Sequence, residues 1–323
     1  VGPYTANHND HVGENHMLLA LSGAVSQGIL WGIMVLGVFI TYKMLDIADL
    51  TVDGSFALGG CVAAVCSVGM GLDPLVAVLL GMLAGVVAGA VTGLLHTLFD
   101  IPAILAGILT QIALWSINLR VMGKSNTPLL NADTVFTRVA SLLHVTQGMA
   151  ALVVGIVVAV LAIVLLYWFF GTEIGSALRA TGQNEDMCRA LGIDVRVAKL
   201  IALMLSNGLV GLSGALICQS QKYADIGMGT GAIVIGLAAI VIGEVLGRLT
   251  PGKLQAFGSR LASAVVGSVV YFLIRAVVLQ LGMDANDMKL LSAIIVALAL
   301  VVPVVWERGR QRRAYAKGGE RSC

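Results

Sequence analysis

Charge is scarce in this chain. Lys and Arg number 20 and Asp and Glu 18, so 12% of its 323 residues are charged, whereas an ordinary soluble domain carries about a quarter. The 58% of apolar residues is more than a soluble fold of this length can hide. Cysteine is also sparse and unpaired. Cys61, Cys66 and Cys218 sit in apolar segments, Cys188 in a polar loop and Cys323 at the end, which excludes the spacing of a zinc site or a disulfide framework. The five His residues show no ligand spacing, and there is no His-Glu or Ser-Lys constellation of the kind an intramembrane enzyme needs. We therefore expect no catalytic residue, metal or cofactor. The alternation of a β-barrel is missing too, which leaves helices as the membrane-compatible fold.

What is present is a succession of uncharged runs, each near the roughly 20 residues that cross a bilayer core as helix. They are Met17 to Thr41, Gly54 to Leu72, Pro74 to Phe99, Ile101 to Leu119, Val139 to Thr172, Leu200 to Gln221, Ile226 to Gly243 and Leu290 to Trp306. Phe257 to Met283 adds another, with Arg275 as its single charge. About nine segments imply an all-α polytopic bundle of roughly eight to ten crossings, since Gly-rich pieces can be half-helices. The chain divides into a leader at 1–16, a transmembrane domain at 17–306 and a basic cytoplasmic tail at 307–323. The leader is polar, rich in His and Asn and without Lys or Arg, and ends just before Met17. It reads as vector-derived, with Met17 as the native start and no basic n-region of a cleavable signal.

The net charge of +2 matters less than where the cations lie. One basic stretch runs from Glu173 to Lys199, and a second holds Arg308, Arg310, Arg312, Arg313, Lys317 and Arg321. A third turn carries Arg248, Lys253 and Arg260. Positive charge marks the cytoplasmic side, which puts all three inside and the loop Val121 to His144 outside, with Lys124 and Arg138 against the trend. Trp168 and Trp306 then fall at cytoplasmic interfaces. The location expected is a bacterial cytoplasmic membrane, and nothing in the charge pattern points to nucleic acid.

Two short stretches echo each other. Ala48 to Gly54 introduces one small-residue helix and Ala224 to Thr230 another. With five crossings per half they would enter from opposite faces, the inverted repeat by which transporters build a midplane site from broken helices. Gly81, Gly85, Gly89 and Gly93 recur every fourth residue and line one helical stripe, where a neighbouring backbone can approach closely. Internal packing explains that stripe more simply than a subunit interface does.

The stretch from Gly171 to Asp194, which overlaps the loop assigned to 172–196, has its own structure. Ser176 is expected to cap a first short helix that breaks near Gly182. Asn184 caps a second, with Glu185 and Asp186 in its first turn, Arg189 in its last and Gly192 as its stop. Two short amphipathic helices outside the membrane form a rigid knob suited to a partner's groove.

Here a family resemblance emerges. Arg179 to Glu185, followed by Ala190 to Ile193, resembles the coupling loop of permeases in the branched-chain amino acid, ribose and nucleoside class of ABC importers. Asp49 to Gly60, with Ser116 to Gly123, is closer to a subgroup paired with binding proteins for aromatic or other amino acids. The resemblance runs from about Gly28 to Trp306. It implies a homodimeric or pseudo-dimeric permease with two cytoplasmic ATPase subunits and an extracytoplasmic binding protein, bathed in membrane lipid. Arg179, Gly182, Asn184, Glu185, Arg189, Ala190 and Gly192 are its expected ATPase-coupling residues. Gly247 to Lys253 matches phosphate-loop spacing, but Leu254 stands where a Ser or Thr should bind magnesium and no strand precedes it, so ATP hydrolysis falls to a partner.

Polar groups in apolar runs cost free energy in lipid and tend to face a pathway or a helix partner. The expected pathway residues are Asp49, Thr51, Asp53, Ser55, Asn118, Arg120, Asp225 and Glu244, with Gln111, Asn207, Gln219 and Arg275 also present. Interhelical hydrogen bonding competes with solute contact for the Asn and Gln residues, as does an ion pair or snorkelling for Glu244 and Arg275. Asp49 and Asp53 precede a helix start whose dipole favours carboxylates, and Thr51 and Ser55 could cap free N–H groups there. The function expected is import of a small polar solute, most simply an amino acid, by alternating access driven through Arg179 to Asp194. An ion-coupled secondary transporter is the alternative, but it leaves the knob without a task.

Overall fold

A computed structural model of the chain describes residues 7–130, 132–249, 257–282, 287, 290–298 and 301. Among the described residues, seven helices are long and apolar enough to cross a membrane. α1 (Asn7–Phe39) continues into a π turn, Ile40–Met44, and α2 (Thr51–Ala64) into another, Val65–Gly69. α3 (Pro74–Leu98), α4 (Ala103–Met122), α6 (Gln147–Gly171), α9 (Val195–Gln221) and α11 (Phe257–Gln280) complete the set. α10 (Ala232–Leu249) has a shorter apolar stretch, and residues 290–298 are helical. Each of the nine apolar runs thus carries helix over most of its described length. The bundle is the expected polytopic all-α fold.

Local chemistry sets most boundaries. Asp73 accepts from Leu75 N–H at 3.0 Å and Pro74 occupies the first turn, a favourable start for α3. α4 stops at Gly123, whose φ of 69° is the left-handed conformation of a helix stop. The run Val139 to Thr172 is two helices, not one. α5 (Val135–Leu143) begins in a capping box between Thr134 and Thr137, and His144 at φ 52° ends it before α6 begins. α1 includes Asn7 to His16, and residues 1–6 lie outside those described. The tail at 307–323, Trp306 and the segment Thr250 to Ala256 of the false phosphate loop also lie outside them.

α1 and α9 are antiparallel at the centre, because Ser206 Oγ donates to Gly37 O and Ser213 Oγ to Leu30 O, each at 2.8 Å. α2 runs parallel to α9, with Ser55 beside Asn207, Gly59 against Gly211 and Gly214 against the Phe56 carbonyl. α3 packs on α9 through its glycine stripe, as expected for internal packing. A Cβ on Gly85 would strike the Asn207 carbonyl oxygen, and one on Gly89 that of Leu203. Trp31, Phe56 and Phe272 cluster at the core, with ring centroids 4.6 Å and 5.5 Å from Trp31. Leu79, Leu83 and Val87 of α3, Ile112 and Trp115 of α4, and Val157, Val164 and Trp168 of α6 remain exposed, as befits helices whose solvent is lipid. A short antiparallel ribbon pairs β1 (Asn126–Pro128) with β2 (Tyr223–Asp225) at the end of the bundle far from the 173–190 loop.

Candidate functional site

Two helices start inside the helical layer and meet there. α2 begins beside Asn207, twelve residues into α9, or about 18 Å along its axis at 1.5 Å per residue. The chain reaches that depth through residues 45–50, where Asp49 accepts from Thr51 N–H at 2.9 Å and from Asn207 Nδ2 at 2.7 Å. α10 begins after two tight turns that follow β2, in which Met228 N–H donates to Asp225 O and Thr230 N–H to Gly227 O. Asp53 in the first turn of α2 receives that second start: Gly231 N–H donates to Oδ2 at 2.9 Å and Ile233 N–H to Oδ1 at 3.0 Å. One carboxylate thus satisfies two free N–H groups of another helix and faces its positive end. The echoed stretches enter from opposite ends of the bundle and converge on Asp53.

A chain of side-chain hydrogen bonds surrounds the α2 start. Ser55 Oγ donates to Asn207 Oδ1 at 2.6 Å and to Thr51 O at 3.0 Å, and Asn207 Nδ2 also donates to Leu203 O. The Thr51 and Thr92 hydroxyls lie 2.7 Å apart, and Thr92 Oγ1 donates to Thr110 Oγ1 at 2.9 Å. The expected capping by Thr51 and Ser55 is therefore replaced by bonds to α3 and α9, because Asp49 already serves the Thr51 N–H. Thr92 and Thr110 escape sequence reading, although Thr92 lies between Gly89 and Gly93, where small residues bring the helices close.

The remaining pathway residues separate. Asn118 is buried. Its Nδ2 is 3.5 Å from Gly54 O, its Oδ1 has no partner, and it borders a small space of about 20 Å³ shared with Asp53, Gln111 and Thr230. Asp225 Oδ1 accepts from Gly227 N–H at 2.7 Å, which shapes the turn leading to α10. Arg120 lies exposed in the last turn of α4 and joins neither group. Glu244 pairs with Lys43 at 2.8 Å, near the opposite end of α10 from Asp53, in a half-exposed bridge. Gln219 links Pro74 O to Val135 N–H, both at 3.0 Å, an interhelical role. Among the described residues, no group of three His, Cys, Asp or Glu is arranged to hold a metal.

The knob consists of α7 (Glu173–Gln183) and α8 (Glu185–Ala190). Thr172, rather than Ser176, caps α7 by accepting from Gly175 N–H at 3.3 Å, one turn earlier than expected. Asn184 caps α8 by accepting from Met187 N–H at 3.0 Å, and Gly192 at φ 81° terminates it, both as expected. Glu185 holds Lys199 at 2.5 Å and Arg189 at 3.7 Å. Arg179 Nη2 donates to Phe170 O at 2.9 Å, with its guanidinium 5.7 Å from the Phe257 ring centroid. Gly182 abuts the Met44 carbonyl so closely that a Cβ would overlap it. Leu178 and Cys188 face inward, while Ile174, Met187 and Leu191 are exposed. A cavity of about 460 Å³ connects this knob to residues 45–48, with Asn184, Glu185 and Lys199 on one wall and Asp46 and Ala48 on another.

Comparison with known proteins adds to this geometry. Residues 20–302 match the family described as branched-chain amino acid transport system / permease component. The chain is 39% identical over 280 residues to the tyrosine transport system permease protein of Clostridioides difficile (strain R20291), covering 85% of this chain and 90% of that one. It is 30% identical over 277 residues to an uncharacterized protein of Rickettsia prowazekii (strain Madrid E), covering 86% and 95%. With the ribose import permease protein of Escherichia coli (strain K12) it shares 28% identity over 257 residues, covering 79% and 76%.

Proposed function

The chain belongs to the branched-chain amino acid transport system / permease component family, and on that premise we propose that it imports an amino acid, driven by a separate ATPase that docks on α7 and α8. It is a multi-pass inner-membrane protein and a non-enzymatic transport component. The observation that carries the proposal is the cavity joining the knob to residues 45–48, just before the deep start of α2. Movement of the knob would bear directly on that start, and Gly182 against Met44 leaves little slack between them. The exposed Ile174, Met187 and Leu191 beside Glu185 and Arg189 suit a groove with an apolar floor and polar rim.

In this reading Arg179, Gly182, Asn184, Glu185, Arg189, Ala190 and Gly192 build the coupling knob, while Asp49, Thr51, Asp53 and Ser55 form the moving centre of the pathway. Asn118 lies against the α2 start and Asp225 shapes the turn before α10. Glu244 with Lys43 closes the end nearest the knob, which is cytoplasmic by its basic loop. Arg120 takes no part. An extracytoplasmic binding protein and a second copy of this chain complete the assembly. The tyrosine transport relative supports an amino acid as the solute.

The test is copurification in detergent followed by reconstitution. An ATPase subunit retained by the wild type, together with ATP-dependent uptake of an amino acid supplied with its binding protein, is the expected result. Uptake that follows an ion gradient without ATP would overturn it.

A further inference from the structure

A second cavity, of about 620 Å³, lies at the other end of the bundle, where α9 ends at Gln221 and β2 begins at Tyr223. Its inner wall is the aromatic cluster of Trp31, Phe56 and Phe272, and its wall also carries Arg275. No carboxylate lines it among the described residues, and none of the five ion pairs among them uses Arg275. The guanidinium lies 5.8 Å from the Phe272 ring centroid. Arg275 is part-buried on α11, five residues before its end at Gln280; a cation on an otherwise apolar span is costly, and such residues mark solute pathways. A mostly apolar wall with a few polar side chains, Gln27, Gln221 and Ser292 among them, and one charge, at a volume in the usual 300–1,000 Å³ range, has the features of a small-molecule site.

The floor of the cavity adds a further connection. Thr230 and Gly231 line it, and the Gly231 N–H is one of the two donors held by Asp53. A solute here would rest directly on the junction where the two deep helix starts meet.

We propose that this cavity binds an amino acid with an apolar or aromatic side chain, its carboxylate on Arg275 and its side chain against Trp31, Phe56 and Phe272. A guanidinium offers two parallel donors to a carboxylate, and this fixes the orientation that the aromatic wall then exploits. The proposal rests on the import reading above and names its solute site.

The test uses the full chain in nanodiscs of zwitterionic lipid, with thermal unfolding followed against L-tyrosine and against tyramine, which lacks the carboxylate. L-Tyrosine should raise the unfolding temperature saturably and tyramine should not. Arg275→Gln should weaken the L-tyrosine response at least tenfold, with Arg275→Lys retaining part of it. Ala293→Phe adds bulk to the cavity wall from residues 290–298 while Arg275 is kept, and should abolish the response, so the test survives a misfolded Arg275→Gln. An equal response to tyramine, a response that both Arg275→Gln and Ala293→Phe leave intact, or a response only to added anionic lipid would overturn the assignment. If the complex imports amino acids at wild-type rates in both variants, the cavity assignment fails and the import reading stands. If L-tyrosine binds through Arg275 but the complete complex moves no amino acid, the import reading fails and the cavity stands.

Discussion

Asp53 on α2 holds the N–H of Gly231 at 2.9 Å, joining two helix starts 178 residues apart in sequence. The two donors use separate carboxylate oxygens, so an Asn in the same pose turns its NH2 toward one of them and, uncharged, loses the attraction to the α10 dipole, about 0.3–1 kcal/mol. Asp53→Asn should lower uptake severalfold while the assembled complex continues to hydrolyse ATP. Normal uptake at normal expression would leave Asp53 a cap with no part in transport.

Glu185 anchors the knob through Lys199 and Arg189 and lies at the start of α8. Glu185→Gln, or a Gly pair inserted between Ala190 and Leu191, should abolish uptake and ATPase retention while membrane insertion and monodispersity stay normal. Surface ion pairs contribute only about 0–1 kcal/mol, so global unfolding is not the expected route. Uptake at wild-type level in both variants would sink the docking surface.

The contact between α3 and α9 should tolerate no side chain. Gly85→Ala forces a Cβ into the Asn207 carbonyl and should cost about 1–3 kcal/mol, seen as a lower unfolding temperature in detergent. Gly148→Ala, where nothing lies within 4 Å, is the control and should change little.

Outside the membrane spans, the Arg138 hydrogen bond holds the Asp73 carboxyl below the usual carboxylate range. A depressed folded-state pKa contributes stability that is present above the unfolded value, near 3.9, and lost as pH falls through the folded value. The difference in thermal stability between wild type and Asp73→Asn should therefore be flat from about pH 5 to 8 and shrink below about pH 4. A difference that grows on acidification would show that Asp73 acts through another partner.

Much of this architecture is legible in the residues because its causes are local. Hydropathy over about 20 residues marks a bilayer span wherever the rest of the chain goes. Asn184 and Gly192 bound α8 through groups within three residues of themselves. Local signals also mislead at short range. Thr172 and Ser176 are both acceptable caps by type, and only the path of α6 into α7 selects Thr172. The apolar run from Val139 conceals the break at His144, because a left-handed residue leaves no mark on hydropathy.

The sequence by itself determined an all-α membrane bundle and a paired-helix knob on a basic loop, since composition, periodicity and capping act along the chain, while the family was legible only as a resemblance in short motifs. The tertiary structure decided which polar groups meet. It took Asp53 from its own helix to α10, turned Ser55 and Thr51 toward Asn207 and Thr92, paired Lys43 with Glu244 and left Arg120 exposed. Those partners are chosen by how helices pack side by side, where a glycine's missing Cβ sets which backbones approach. Burial in a medium with no water then favours partners for the buried polar groups, and across these contacts Asp53, Ser55 and Thr51 find theirs.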